Sequence, residues 1–426
     1  MTTFGSVSIP ALRLRHVLPA IAGIYITQTI ITALTTQALP SLLRSEGASL
    51  ELAGLTALLW VPWGIRFLWA PFVERLRLPV GRQERRSRQL MLTGQWLMAA
   101  MLIALGLASL LGQWSLGASA GWILCGLLAA ATVAASTDVA CDGFTVEQLA
   151  GRRRGWGNVA QVGGSYVGAM IGVGAFLLVA GHAGWPLALI AAGLAIVLLS
   201  LPMLLLREPP REQVLAVAHR PGLLYALRRP QVRIGLLLLL LSSVGVRLSL
   251  GMFGPFLIDR GMSVEQVGWL FGSLHIGAGL IGAVLGGMLV RSAPGWQAVW
   301  IAVGFKAAVL LALALCAPSA SLIVLQVLVG LMLAVLSCLW VALYSALMSM
   351  TSPLQSGLDF TVFQSADALL AMVGGVIGGW LAGQLGYRFC FGLAAALTMV
   401  AVVVVRRHAR HDDPSLLTEQ QVRHVG

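Results

Sequence analysis

Charge is what this sequence has least of. Only 10% of its 426 residues are Asp, Glu, Lys or Arg, whereas 58% are hydrophobic and the mean hydropathy is +0.87. An ordinary soluble domain carries about 25% charged residues, so a soluble globular fold is excluded. Lysine is almost missing: Lys306 stands alone beside 27 arginines, a bias that hints at a GC-rich, bacterial genome. The five cysteines (Cys125, Cys141, Cys316, Cys338, Cys390) fall in apolar runs without a CxxC pair, which argues against a disulfide framework and for small packing residues. Motifs of chemistry are missing as well. There is no HExxH, GxSxG or phosphate loop, and neither His182 nor His275 lies near a nucleophile motif. That argues against an enzyme and an ATP-driven pump, and neither cofactor nor metal is expected. The net charge of +12 would suggest nucleic acid in a soluble chain, but in a membrane chain it matters only which loops carry it, so no nucleic-acid partner is expected.

What the chain has is apolar length. Runs near 17–39, 51–71, 90–111, 120–149, 156–180, 184–206, 233–254, 265–290, 296–316, 319–347, 358–383 and 386–405 are each long enough to cross the roughly 30 Å bilayer core as a helix. The reading is an all-α membrane protein with twelve transmembrane helices. The first run is longer than a signal-peptide core and reads as a span. Prolines 40, 71, 186, 255, 318 and 353 sit at run edges, where helices stop.

Arginines orient the chain. The N-terminus, the even-numbered loops and the C-terminus hold 22 of the 28 Lys and Arg, against Arg44, Arg260 and Arg388 on the other side. The positive-inside rule therefore puts both termini in the cytoplasm. The basic stretch 207–232 divides a six-helix half, 1–206, from a second, 233–405, with a cytoplasmic tail at 406–426. A shift of 202 residues lays Val139-Ala140 on Val341-Ala342 and Gly155 on Gly357, in keeping with two six-helix pseudo-repeats around a central cavity.

Inside the apolar runs a few charges remain. Asp138 and Asp142, four residues apart, share one helix face at about 6 Å, close enough to repel, and make a plausible proton carrier. The alternative is a structural ion pair with Arg66 at similar depth; a pair that breaks on protonation would serve both roles. Arg247, His275 and Lys306 are potential cations of the second half. Arg247 is suited to an anionic ligand because its guanidinium can grip a carboxylate twice. His275 could exchange protons or merely pack, and Lys306 reads as paired or snorkelling. Asp359 reads as a helix cap, and Asp367, two turns deeper beside Phe360, Phe363 and Gln364, as a second proton-coupling candidate.

The segment from Gly64 through Arg66, Pro71, Glu74 and Arg75, then Gly81-Arg82 and Arg85-Arg86, resembles the loop between the second and third helices of AmpG-type muropeptide permeases. Ser136-Thr137-Asp138-Val139-Ala140-Cys141-Asp142-Gly143, closed by Arg154-Gly155, resembles their fourth helix. Both are marks of the major facilitator superfamily, and by size the chain is most similar to its RhtX/FptX siderophore permeases. The resemblance implies a single-chain importer in the bacterial inner membrane. It would carry a ferric siderophore, pyochelin-like, from periplasm to cytoplasm by proton-coupled alternating access; the alternative cargo is an anhydromuramyl peptide. It further implies a gating loop of Arg66, Glu74, Arg75 and Arg82, with Glu74-Arg75 as its acid-base pair, whereas the second-half loop ending in Arg291 has no acid. Tyr25, Gln28 and Thr32 on the first helix and Trp340 and Tyr344 on the tenth would line the cavity. It also makes the stripes Gly164/Gly168/Gly172, Gly375/Gly379/Gly383, Gly268/Gly272 and Gly282/Gly286 candidate seams, fifth helix against eighth and second against eleventh.

Overall fold

The computed structural model describes residues 12–45, 56–114, 119–149, 153–213, 216, 220–262, 266, 270, 273, 275–293 and 295–411. Among them there is no strand. The helices are α1 (Leu14–Ala38), α2 (Leu58–Leu68), α3 (Ser87–Leu111), α4 (Ala120–Gln148), α5 (Arg153–Ala183), α6 (Trp185–Leu204), α7 (Pro230–Asp259), α8 (His275–Ser292), α9 (Trp296–Cys316), α10 (Leu322–Ser349) and a last run, Ser356–His411. Gly386, at φ 79°, breaks that run into α11 (356–385) and α12 (387–411). Apart from the short apolar α2 and α8, these helices are long enough to span a bilayer, so among the described residues twelve apolar helices stand where the sequence has twelve apolar runs.

Local chemistry explains the breaks. Pro40 has no N–H to donate to the carbonyl of Thr36, and α1 widens into a π-type turn over Leu34–Ala38 just before it. The glycines of Met170–Ala175 accompany a matching wide turn in α5. Between α5 and α6 the chain turns on Gly184, at φ 87° and ψ 153°; between α11 and α12 it turns on Gly386, at φ 79° and ψ 164°. Both lie in a region that glycine enters without a Cβ penalty. They are 202 residues apart, the shift that aligned the two halves in sequence, so the repeat extends to backbone conformation.

Contacts divide the chain into two compact units. The first holds Met1–Arg153, Gly164–Leu227 and Thr351–Ser365; the second holds Arg154–Gly163, Arg228–Met350 and Ala366–Gly426. In the first, α3 packs along α6 and α4, and α1 along the same two helices, around Ile30, Leu34, Met98, Leu102, Ala131 and Ile196. In the second, α8 and α9 pack along α10, and Phe256 meets Phe391 edge-on at 5.3 Å. Large apolar side chains such as Trp122, Leu198 and Val376 point outward, as lipid-facing residues do.

The glycine stripes pack differently from the expected seams. Gly168 and Gly172 lie against α1, where a Cβ would come within 2.6 Å of the Ile26 carbonyl and 2.7 Å of the Ile30 carbonyl. Gly282 and Gly286 lie against α10, at Ala334 and Cys338. In α11 the contacting glycines are Gly374 and Gly378, against Arg247 and Leu248 of α7, while nothing lies within 4 Å of Gly375 or Gly383. A four-residue period marks a helix face but does not name its partner. The contact expected of the fifth helix with the eighth is made at its first turn, where Gly155 packs on Gly287 and Val290, whereas the first turn of α11 meets Glu74 of the helix Ala70–Arg77 and Val139 and Gly143 of α4 through Gly357. Gly268 and Gly272 lie outside the described residues.

These contacts make a prediction. Gly282→Leu forces a side chain onto the Ala334 carbonyl and is expected to cost about 1–3 kcal/mol, seen as a lower thermal midpoint in detergent. Gly375→Ala, in open space, is expected to keep or raise that midpoint, since alanine is the better helix former by about 1 kcal/mol. Equal midpoints for Gly282→Leu and the parent would contradict the close approach of α8 and α10.

Candidate functional site

Among the described residues three buried clusters hold most of the charges within the helices, and each is built by a distinct local feature. In the first unit, α2 is pinched by Pro62 and Gly64 into short turns, and Arg66 sits where the turn Val61–Ile65 gives way to the tighter Arg66–Leu68. Its side chain is buried. It forms an ion pair with Asp138, approaches Asp142 at 4.0 Å and donates to the Gln364 side-chain oxygen. Asp138 and Asp142 lie one turn apart on α4, which brings both carboxylates to one guanidinium. The Tyr25 hydroxyl donates to Asp142 at 2.9 Å and bonds Thr145 at 3.3 Å. The structure thus joins Arg66, Asp138, Asp142, Tyr25 and Gln364, expected as gate, proton carriers, and cavity wall, into one network. Gln28 is buried one turn along α1 from Tyr25 and has no bond to the acids; its hydroxyl-bearing neighbour Thr32 bonds back to the Gln28 carbonyl.

In the second unit Arg247 and Asp367 face each other from α7 and α11, at 2.5 Å from Nη2 to Oδ2 and 3.3 Å from Nε to Oδ1. Gly374, whose Cβ would lie 2.9 Å from that of Arg247, permits the approach. Tyr344 reaches the same carboxylate at 3.5 Å, and the Trp340 ring lies 5.4 Å from the guanidinium carbon. Four residues singled out separately are one site. Lys306 joins it. The ammonium does not snorkel: it is fully buried, donates to the Ser242 carbonyl of α7, and feels both Arg247 and Asp367 electrostatically. Of the two readings, paired or snorkelling, the second fails, because the (CH₂)₄ stem runs into the unit instead of out to the interface. The side chain of His275 lies outside the described residues.

The third cluster is built on the short helix Ala70–Arg77 that follows α2. Glu74 pairs with Arg77, at 2.7 and 3.1 Å, and not with Arg75. Neighbours in a helix point apart, whereas residues three apart share a face. Arg75 is exposed and donates to the Pro221 carbonyl at 3.3 Å; the Arg82 side chain is exposed, and its carbonyl accepts from Arg211. The acid-base pair expected at Glu74-Arg75 is thus made by Glu74 with Arg77 instead, a partner that the i, i+3 spacing could have signalled. Arg77 also donates to Glu147 at 2.6 Å, Arg85 pairs with the other Glu147 oxygen, and Ser356 donates to Glu147 at 3.0 Å. Burial by itself would lower the Arg77 pKa, but Glu147 and Glu74 more than offset it and hold it above the ordinary value. Gly143 and Gly357 leave the room: a Cβ at the first would lie 2.7 Å from the guanidinium carbon, and at the second 2.5 Å from a Glu74 oxygen. Asp359 accepts from the Ser352 N–H at 2.8 Å and from the Gln355 side chain at 2.7 Å, so it holds the turn that leads into α11 and does not cap the helix's own N–H groups. Among the described residues no group of His, Cys, Asp and Glu is placed to hold a metal ion.

Known proteins bear on this arrangement. An uncharacterized protein of Haemophilus influenzae is 24% identical over 387 residues, covering 84% of this chain and 87% of that one. The anhydromuropeptide permease of Escherichia coli K12 is 25% identical over 265 residues, 61% of this chain and 52% of the permease, so the match spans about half of that relative. Two solved structures share the fold. A bacterial homologue of the iron transporter ferroportin, outward-facing, superposes with a TM-score of 0.65 at 17% identity, covering 93% of this chain and 99% of that one. The E. coli fucose:proton symporter gives 0.68 at 13%, covering 91% and 98%. The family description Major Facilitator Superfamily fits residues 21–346, from α1 into α10, and the chain belongs to that superfamily.

Proposed function

We propose that this chain is a proton-coupled importer of an anionic cargo, a ferric siderophore, working by alternating access in the bacterial inner membrane as a single chain with both termini in the cytoplasm. The observation that carries the reading is the sign of the buried clusters. Glu74 and Glu147 balance Arg77 and Arg85, so the third cluster is neutral. Arg66 with two aspartates leaves one formal negative charge, and Arg247 with Lys306 against Asp367 leaves one formal positive charge. Charge in hydrocarbon costs at least about 3 kcal/mol and is retained where it is used. The first cluster is one proton short of neutrality; the second is one anion short.

The coupling follows from those partners. A proton on Asp138 or Asp142 releases Arg66 from one of its two acids, loosening the hold of α2 on α4. An anionic group of the cargo competes with Asp367 for Arg247, and Lys306 supplies the second positive charge. Trp340 and Tyr344 offer aromatic surface beside that guanidinium, which suits the aromatic rings of a siderophore. The name of the E. coli relative favours a second reading, an anhydromuropeptide, whose carboxylates would serve Arg247 and Lys306 equally well.

The deciding experiment is uptake of radiolabelled ferric siderophores and of labelled anhydromuropeptide in cells with and without the chain, each with and without a protonophore. Protonophore-sensitive siderophore uptake that needs the chain is the expected result; uptake of anhydromuropeptide alone would replace the cargo. Asp142→Asn is expected to abolish accumulation against a gradient while leaving exchange of cargo across the membrane, and loss of both together would remove Asp142 from the coupling role. Lys306→Met is expected to raise KM about 10- to 100-fold, the loss of a charge-assisted bond worth about 1.5–3 kcal/mol, and Lys306→Arg to restore most of it. An unchanged KM in Lys306→Met would take the second positive charge out of the site.

A further inference from the structure

A cavity of about 260 Å³ lies where α9 begins and α12 ends, lined by Gln297, Trp300, Ile301, Arg406, Ala409 and Arg410. We propose that it binds the headgroup of an anionic phospholipid. The pocket is smaller than the roughly 300–1,000 Å³ that encloses a drug-sized ligand, so it fits a headgroup and not a whole cargo molecule. Arg406 and Arg410 are one helical turn apart on the same side of α12 and both are exposed. Among the described residues no acid lines the cavity with them. The Arg406 guanidinium lies 5.4 Å from the centre of the Trp300 ring, which holds it in place while its N–H groups stay free for an anion's paired oxygens. Ile301, one turn deeper along α9 than Gln297, makes the wall apolar on the hydrocarbon side, as a glycerol backbone and the first acyl carbons require, and Ala409 leaves room between the two arginines.

Position selects the source of the anion. Val405 is the last residue of the apolar run and Arg406 the first of a basic one, so the cavity sits at the level where α12 leaves hydrocarbon. Trp300 is the kind of side chain that anchors at that level. The loop arginines assign this end to the cytoplasmic leaflet, whose anionic lipids attract juxtamembrane arginines by about 1 kcal/mol each. Edge-on contact of Trp296 with His408, at 5.5 Å, ties the first turn of α9 to the end of α12, so a lipid seated there would brace both helices.

The test uses the purified full chain in detergent, with thermal unfolding and native mass spectrometry in the presence of phosphatidylglycerol, phosphatidylcholine or inorganic phosphate. Phosphatidylglycerol is expected to raise the midpoint and to remain bound, phosphatidylcholine to do neither, and R406Q/R410Q to weaken phosphatidylglycerol binding at least tenfold. Arg407→Gln, exposed on the same helix but outside the cavity, is expected to behave as the parent. Equal binding of both lipids, an undiminished phosphatidylglycerol preference in R406Q/R410Q, or the same loss in Arg407→Gln would overturn the site. An equal effect of inorganic phosphate would overturn the lipid and leave a soluble anion.

Discussion

The cost of holding charge away from water is the constraint on which the rest of this molecule depends. It explains why so few charged residues lie within the helices and why those few are drawn together. Arg77 buries completely because two carboxylates meet it, Gly143 clears its path and Gly357 clears that of Glu74; either glycine replaced by a larger residue would displace an ion that has nowhere else to go. Where the partners do not balance, as at Arg66 with its two acids or at Lys306 on a main-chain carbonyl, one formal charge remains, and in the function proposed above that charge is where a proton or an anion would be received.

A second constraint is the distance between helix backbones. Without water to expel, helices in a bilayer gain by close packing, and glycine facing a carbonyl is how this chain achieves it. Gly378 against Leu248 and Gly374 against Arg247 bring α11 onto α7, and the same approach delivers Asp367 to Arg247. Packing and chemistry are one arrangement here. The turns at Gly184 and Gly386, alike in conformation and 202 residues apart, show that both halves close their last helix pair by the same backbone device.

Much of this was legible before any coordinates. Twelve apolar runs, proline at their edges and a 202-residue echo are local or periodic properties, and helices in a bilayer must satisfy their own backbone, so apolar length translates directly into a spanning helix. Asp138 and Asp142 could be paired from their spacing because four residues make one turn. The Glu74 partner was not legible from the resemblance, which implies Arg75, because residues three apart on a helix share a face; nor were the partners of Gly375 and Gly379, because a stripe says nothing of which neighbour it meets.

The sequence by itself therefore determined the class of molecule, the number of helices, the internal repeat and which residues are too costly to be accidental. Only the tertiary structure decided who meets whom: that Tyr25 donates to Asp142, that Arg247, Trp340, Tyr344 and Asp367 form one site, and that Lys306 turns inward. The physical reason is that a helix specifies its own hydrogen bonds within four residues, whereas an ion pair between helices depends on rotations and separations that are set by side-chain packing along their whole length.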